Sequence, residues 1–406
     1  MAEFLIVGSV AGLVQIAAAL PWVAALDPVG FKAWFRRAAT SFLGLQVVGG
    51  TLLALVAGLF LTNLYVADPE QYKVFGRIYA SVLQLQLTAD FFVFFFAALL
   101  AFWPHGGAVA LAAFREGIRQ PMFWVLTIAA LVLLGVSPFV PYFTFGEDFK
   151  MVKEIGYDTI MLAATAFGVI AAGMSISEEI EGKTAITLMS KPISRRQFLL
   201  GKFFGILMAA LAMTLLLGWC FIWLLLFKSR WDPMSTPDYM GIFPDPEWVR
   251  AFWTGLPLGD EGRQFFRGLA LWWEDLCDVG LGLLLGSCQL MVLLAIAVAL
   301  ATRLPMLVNL VVCLVIFFLG HLTPILSSVS QNRKGLSALV HFTAQLFHTL
   351  LPGLEFYDMG PAVVRDAPLP QGQFAVYVAS VTGYSLLYTA IALLFGLILF
   401  EDRDLA

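Results

Sequence analysis

Nine stretches of this chain are continuously apolar for about 20 residues or more, the length at which a helix crosses the hydrocarbon core of a bilayer. They run roughly 4–26, 42–66, 78–103, 121–143, 157–176, 203–227, 279–302, 305–326 and 374–400. Lipid offers backbone N–H and C=O groups no partners, so only helices or closed barrels can span it. Continuous apolar runs select helices, because barrel strands alternate apolar and polar residues over about ten positions. Hydrophobic residues make up 60% of the 406 and charged residues 13%, far from a soluble domain. The expected fold class is all-α, a polytopic helical membrane protein with about nine transmembrane helices.

Lys and Arg in short loops set the orientation. They are densest in 27–41 (Lys32, Arg36, Arg37), 104–120 (Arg115, Arg119) and 177–202 (Lys183, Lys191, Arg195, Arg196, Lys202). The first and third of these lie an even number of spans apart, as does the second. All three therefore fall on one side, the cytoplasmic one. The long loop 228–278, with nine Asp or Glu against five Lys or Arg, falls outside. The expected topology is N-terminus out and C-terminus in. The first apolar run lacks the positive flank of a secretory signal, carrying Glu3 instead, and is longer than a signal core; it reads as a span.

Eight charged residues crowd into the 25 positions from Glu178 to Lys202. Glu178, Glu179 and Glu181 suit the positive end of a helix dipole, Gly182 loosens that helix, and Pro192 ends it. Ser194 with Gln197 three residues on reads as a capping box for the next helix. Arg195, Arg196 and Lys202 then reach lipid headgroups as that helix enters the membrane, as Arg115 and Arg119 do earlier. On charge alone the island is equally a docking surface or a positive-inside anchor with a solvated loop. Gly182-Lys183-Thr184 imitates the end of a P-loop, but Ser177 stands where the first glycine is required and glutamates fill the interval. A phosphate cradle needs positive potential, so this segment does not bind ATP.

Upstream, Leu111, Phe114 and Ile118 share one face of 108–120, the pattern of an interfacial helix; a polar loop is the alternative. Leu339, Phe342, Leu346 and Leu350 suggest another helix in the outside loop 327–373. Asp90 is an ionisable group near the middle of a span, where such groups are expensive and often functional. It can pair with a basic cargo, relay a proton, or bond a neighbouring helix through Gln84, Gln86 or Gln46. Four cysteines show no metal spacing, and His341 with His348 lacks a third ligand; no metal site is expected. Lys and Arg are too dispersed for a nucleic-acid surface. No HExxH, GxSxG or Gly-rich nucleotide loop occurs, which leaves enzymatic readings without support.

The run from Ile176 to Lys202 resembles the signature of ABC-2 type transporter permeases. In that family an acidic segment, a G-[KR]-T, a leucine-rich stretch, a Pro-x-[ST]-[RK] turn and an L-G-K join the second and third core spans. Phe114-Arg-Glu-Gly-Ile-Arg-Gln-Pro121 is similar to the family's interfacial helix, and Phe400-Glu-Asp-Arg-Asp-Leu405 to its charged tail. The resemblance covers about 121–406, a six-helix core, and leaves the three-helix block 1–103 outside the pattern, with 104–120 as the interfacial helix between. It implies a permease of a bacterial-type plasma membrane that exports a substrate using a separate ABC ATPase subunit and a second permease copy or paralogue. No cofactor would bind here; ATP and Mg would sit on the partner. Ser177, Glu178, Glu179, Glu181, Gly182, Lys183 and Thr184 would form the ATPase-coupling surface. A membrane scaffold or sensor that uses the permease fold without transport is the alternative.

Overall fold

The computed structural model describes residues 2–40, 50, 69–140, 148–181, 193–231, 245–332, 342, 346, 351–358 and 371–401. All regular structure among them is helical: α1 (Ala2–Leu26), α2 (Pro28–Thr40), α3 (Pro69–Phe102), α4 (Pro104–Arg119), α5 (Pro121–Val136), α6 (Asp148–Ala172), α7 (Arg195–Trp231), α8 (Glu247–Thr254), α9 (Asp260–Ala301), α10 (Met306–Asn332) and α11 (Gln371–Glu401). Four helices open on proline (α2, α3, α4, α5), where its fixed φ suits the first turn and its missing N–H costs nothing. Gln120 is extended, with ψ 135°, because Pro121 forbids it the helical region; one proline thus ends α4 and starts α5.

Among the described residues seven helices are long and apolar enough to cross a membrane, and Met306–Leu322 is a shorter apolar helix. Eight of the nine expected runs correspond to these helices. The ninth, 42–66, lies outside the described residues, as do Gln46 and the outside-loop helix apart from Phe342 and Leu346.

The chain packs as two units, 1–98 with 238–278 and 99–237 with 279–406. The sequence division at 103 and 120 did not anticipate that the acidic stretch 238–278 joins the N-terminal residues. In the first unit α1 and α3 run parallel and in register. The Tyr79 hydroxyl donates to the Ala11 carbonyl at 3.0 Å, and the Asp90 carboxyl lies within electrostatic reach of the Trp22 backbone N–H; both pairs are 68 positions apart. Asp90 is 6% exposed and faces α1 near Trp22, while Gln84 accepts from the Trp272 indole at 2.9 Å. Gly76 and Gly268 let α3 and the start of α9 touch backbone to backbone: a Cβ at either would strike the other helix's carbonyls. Asp245 pins the 245–278 stretch, accepting both Arg267 nitrogens at 2.7 and 2.8 Å and the Trp253 indole at 3.0 Å. Burial alone would raise that carboxyl, but the guanidinium and indole hold it below its ordinary value.

In the second unit α4 does not simply rest its Leu111, Phe114 and Ile118 face on the membrane. Its buried side is the small-residue stripe Gly106, Gly107, Val109, Ala110, Ala113 and Gly117, which lies against α7. Gly201 and Gly205 of α7 face it so closely that a Cβ on Gly205 would meet the Ala110 carbonyl. Small residues at helix crossings are how apolar media hold helices together by packing.

Candidate functional site

The charged island begins where α6 changes its winding. Residues Gly173–Ser177 form a π-turn, and one α-turn, Glu178–Glu181, follows. An extra residue in a helical turn is costly and tends to occur where function requires it. Here it aims Ser175, Ser177 and Glu179 inward. Of the coupling residues expected from sequence, Glu178 and Glu181 are helical, whereas Gly182, Lys183 and Thr184 lie outside the described residues. Ser177 is not a surface residue, being 1% exposed. Its hydroxyl lies 3.3 Å from the Ala301 carbonyl and 3.0 Å from that of Leu304, the last turn of α9 and the link to α10. Gly173 sits against Met306, the first residue of α10.

Lys202 departs furthest from expectation. Read as a headgroup anchor, it instead points into the protein and is 6% exposed. Its Nζ donates to Glu179 Oε1 at 2.5 Å, Ser175 Oγ at 2.8 Å and Glu116 Oε2 at 3.5 Å. The cause is position: seven residues into α7 is two turns, about 10 Å, beyond Arg195. A buried ammonium must be paired and fully bonded, and three oxygens from α4 and the π-turn region do that. One side chain thereby ties α4, the π-turn and α7 together. Arg115 and Arg119 are exposed, as is Arg196.

Arg195 also bonds protein. Its guanidinium donates to the Phe400 and Glu401 carbonyls at 2.8 and 2.7 Å, and Arg303 Nε donates to Leu399 at 2.8 Å. Two cations thus cap the last turn of α11, where the carbonyls are unpaired and the dipole is negative. Ser194 and Gln197 form the reciprocal capping box: Ser194 N–H donates to Gln197 Oε1 at 3.0 Å, and Gln197 N–H to Ser194 Oγ at 3.2 Å. The ends of α6, α9 and α11 and the starts of α7 and α10 therefore meet around one charged, hydrogen-bonded node. Sequence reasoning found the acidic arm of this node and missed Lys202 as its hub, and it missed Glu116, Ser175 and Arg303. The available signal was depth, since a lysine two turns past the interfacial arginines needs a partner.

The node is built of ion pairs and hydrogen bonds that tie helices to one another. Among the described residues no cluster of His, Cys, Asp or Glu has the makings of a metal site. What it can do is mechanical. Displacing the Glu178–Glu181 turn would pull on α4 and α7 through Lys202 and on α9 and α10 through Ser177. Residues 118–236, which contain the π-turn, Ser177, Glu179, Arg195 and Lys202, match the family model described as ABC-2 family transporter protein. None of the curated proteins matches the chain.

Proposed function

We propose that this ABC-2 type permease, as the 118–236 match supports, is the membrane subunit of an ABC transporter, coupling ATP hydrolysis on a separate subunit to movement of a substrate, with export as the direction. It works in a bacterial-type plasma membrane, alongside a second permease copy or paralogue. The observation that carries this reading is the node. A short acidic segment between two spanning helices is bonded by Glu179 to Lys202 and by Ser177 to the α9–α10 link.

The mechanism follows from those bonds. An ATPase that grips the segment around Glu178, Glu181, Gly182, Lys183 and Thr184 moves it when its nucleotide sites close. Glu179 carries the displacement to Lys202, and hence to α7 and to α4 through Glu116. Ser177 carries it to the ends of α9 and α10. The ion pair is short and largely dry, so it transmits force with little slack; a solvated loop would yield instead. The interfacial arginines Arg115, Arg119 and Arg196 hold the assembly at the headgroups, giving the lever something to work against.

A mild-detergent pull-down of the tagged full chain from its native host, followed by hydrolysis assays, tests this. A P-loop ATPase should co-purify in near-stoichiometric amount, and its hydrolysis rate should differ from that of the isolated ATPase. The variant Ser177→Ala should retain the partner and revert to the isolated rate. Recovery of no ATPase by the wild type would leave the permease fold serving as a scaffold and sink the transport reading.

A further inference from the structure

The second unit contains a groove of about 820 Å³, a size typical of sites for small organic ligands. Its floor is Ile296 of α9, and its walls are Val312 and Ile316 of α10 and Ile391 and Phe395 of α11. It runs along α11 from Tyr384 to Phe395, about 16 Å at the helical rise, and at the far end α9 and α11 close on each other. There a Cβ on Gly396 would lie 2.8 Å from Ala299 Cα.

The near end is chemically different. It is capped by 351–358, a segment held from three sides. Leu354 is fully buried against Gly320. Tyr384 accepts the Gly353 N–H at 3.2 Å. Tyr377 donates to the Phe356 carbonyl at 2.8 Å, and Tyr357 bonds Ser385 at 2.7 Å. The cap presents Glu355 and Phe356 to the groove beside Tyr384 and Tyr388. Asp358 on the same segment lies within electrostatic reach of Asp158, which also feels Glu154 and His321.

We propose that this groove binds a lipophilic cation, with its apolar body along α10 and α11 and its positive centre at Glu355 among Phe356, Tyr384 and Tyr388. A carboxylate beside aromatic faces suits a cation, which gains from both the charge and the ring quadrupoles. The same carboxylate opposes an ordinary phospholipid, whose phosphate would have to sit against Glu355. The site deepens the transport reading by naming a substrate class, and it rests on that reading for its role. Its floor residue Leu300 precedes Ala301, whose carbonyl faces Ser177, so an occupant sits against the coupled end of α9.

The test is equilibrium binding of radiolabelled tetraphenylphosphonium to the full chain in phosphatidylcholine nanodiscs, corrected with empty discs. Saturable binding is expected, unaffected by the neutral analogue triphenylphosphine oxide. Glu355→Gln should weaken it about tenfold. Ala392→Trp, which fills the groove from α11, should abolish it at unchanged melting temperature. Equal competition by triphenylphosphine oxide, or binding that survives both variants, overturns the proposal. So does displacement of the probe by phosphatidylglycerol in the disc, or a groove closed by a second copy, seen as a particle whose mass halves in Ala392→Trp. None of these needs an ATPase, so failure here leaves the permease reading to its own pull-down.

Discussion

Replacing Glu179 by glutamine keeps the shape of the node and leaves the Lys202 ammonium, whose side chain is 7% exposed, with Ser175 and a carboxylate at 3.5 Å. Breaking a buried pair this way typically costs about 3–5 kcal/mol. Glu116 is about half exposed, and its loss should cost within the ~0–1 kcal/mol of a surface pair. Thermal unfolding of purified Glu179→Gln and Glu116→Gln should therefore differ clearly, with Glu179→Gln the less stable; the reverse order would remove Lys202–Glu179 from the centre of the account. Asp245 makes a second residue-level prediction. Its carboxyl is held below the ordinary value of about 3.9, so the stability it supplies is fully present above that value. The contribution is lost as pH falls through the lower folded value. Acid unfolding followed by tryptophan fluorescence should show a step below about pH 4 that Asp245→Asn lacks. Neither role was readable from charge alone: Lys202 has the sign of an anchor, and Asp245 is one of nine acidic residues in its loop.

At the scale of elements, α4 and α7 depend on a glycine contact. Leucine at Gly205 would drive its side chain into the Ala110 backbone, and overpacking of this kind costs about 1–3 kcal/mol or more. Gly135→Leu on α5, where a Cβ meets nothing within 4 Å, is the matched control. The first variant should melt lower or fail to enter a monodisperse peak on size-exclusion chromatography; equal behaviour of the two would show that α4 is only laid against α7. The π-turn supports a sharper test. Deleting Met174 removes the extra residue and lets the segment wind as an α-helix, without the widened turn that carries Ser175 and Ser177. The chain should still fold and bind its ATPase, with hydrolysis uncoupled. Helix starts were legible because proline and the Ser194–Gln197 box carry their own signals. The π-turn was not, since one inserted residue leaves hydropathy unchanged. The start of α9 was hidden too, because 260–278 carries charges that mask a helix continuing for 42 residues, far longer than a bilayer needs.

Across the whole molecule, the expected polytopic helical architecture is present, while the partition of the chain was legible only in part. Contacts between residues remote in sequence, such as Gly76 with Gly268, assign 238–278 to the N-terminal unit, and nothing local announces them. The topology itself is open to a direct check in a cysteine-free background: Arg250→Cys should react with a membrane-impermeant maleimide on intact spheroplasts, and Arg115→Cys only after lysis. Labelling in the opposite sense would put the acidic segment on the wrong side for an ATPase. The most direct measurement of the central claim is photo-crosslinking in the native host with p-benzoylphenylalanine replacing Lys183. A covalent adduct to a P-loop ATPase, absent when the probe replaces Arg250, is the predicted result. An adduct to no ATPase at Lys183, in cells where the chain is expressed and inserted, would contradict the coupling assignment.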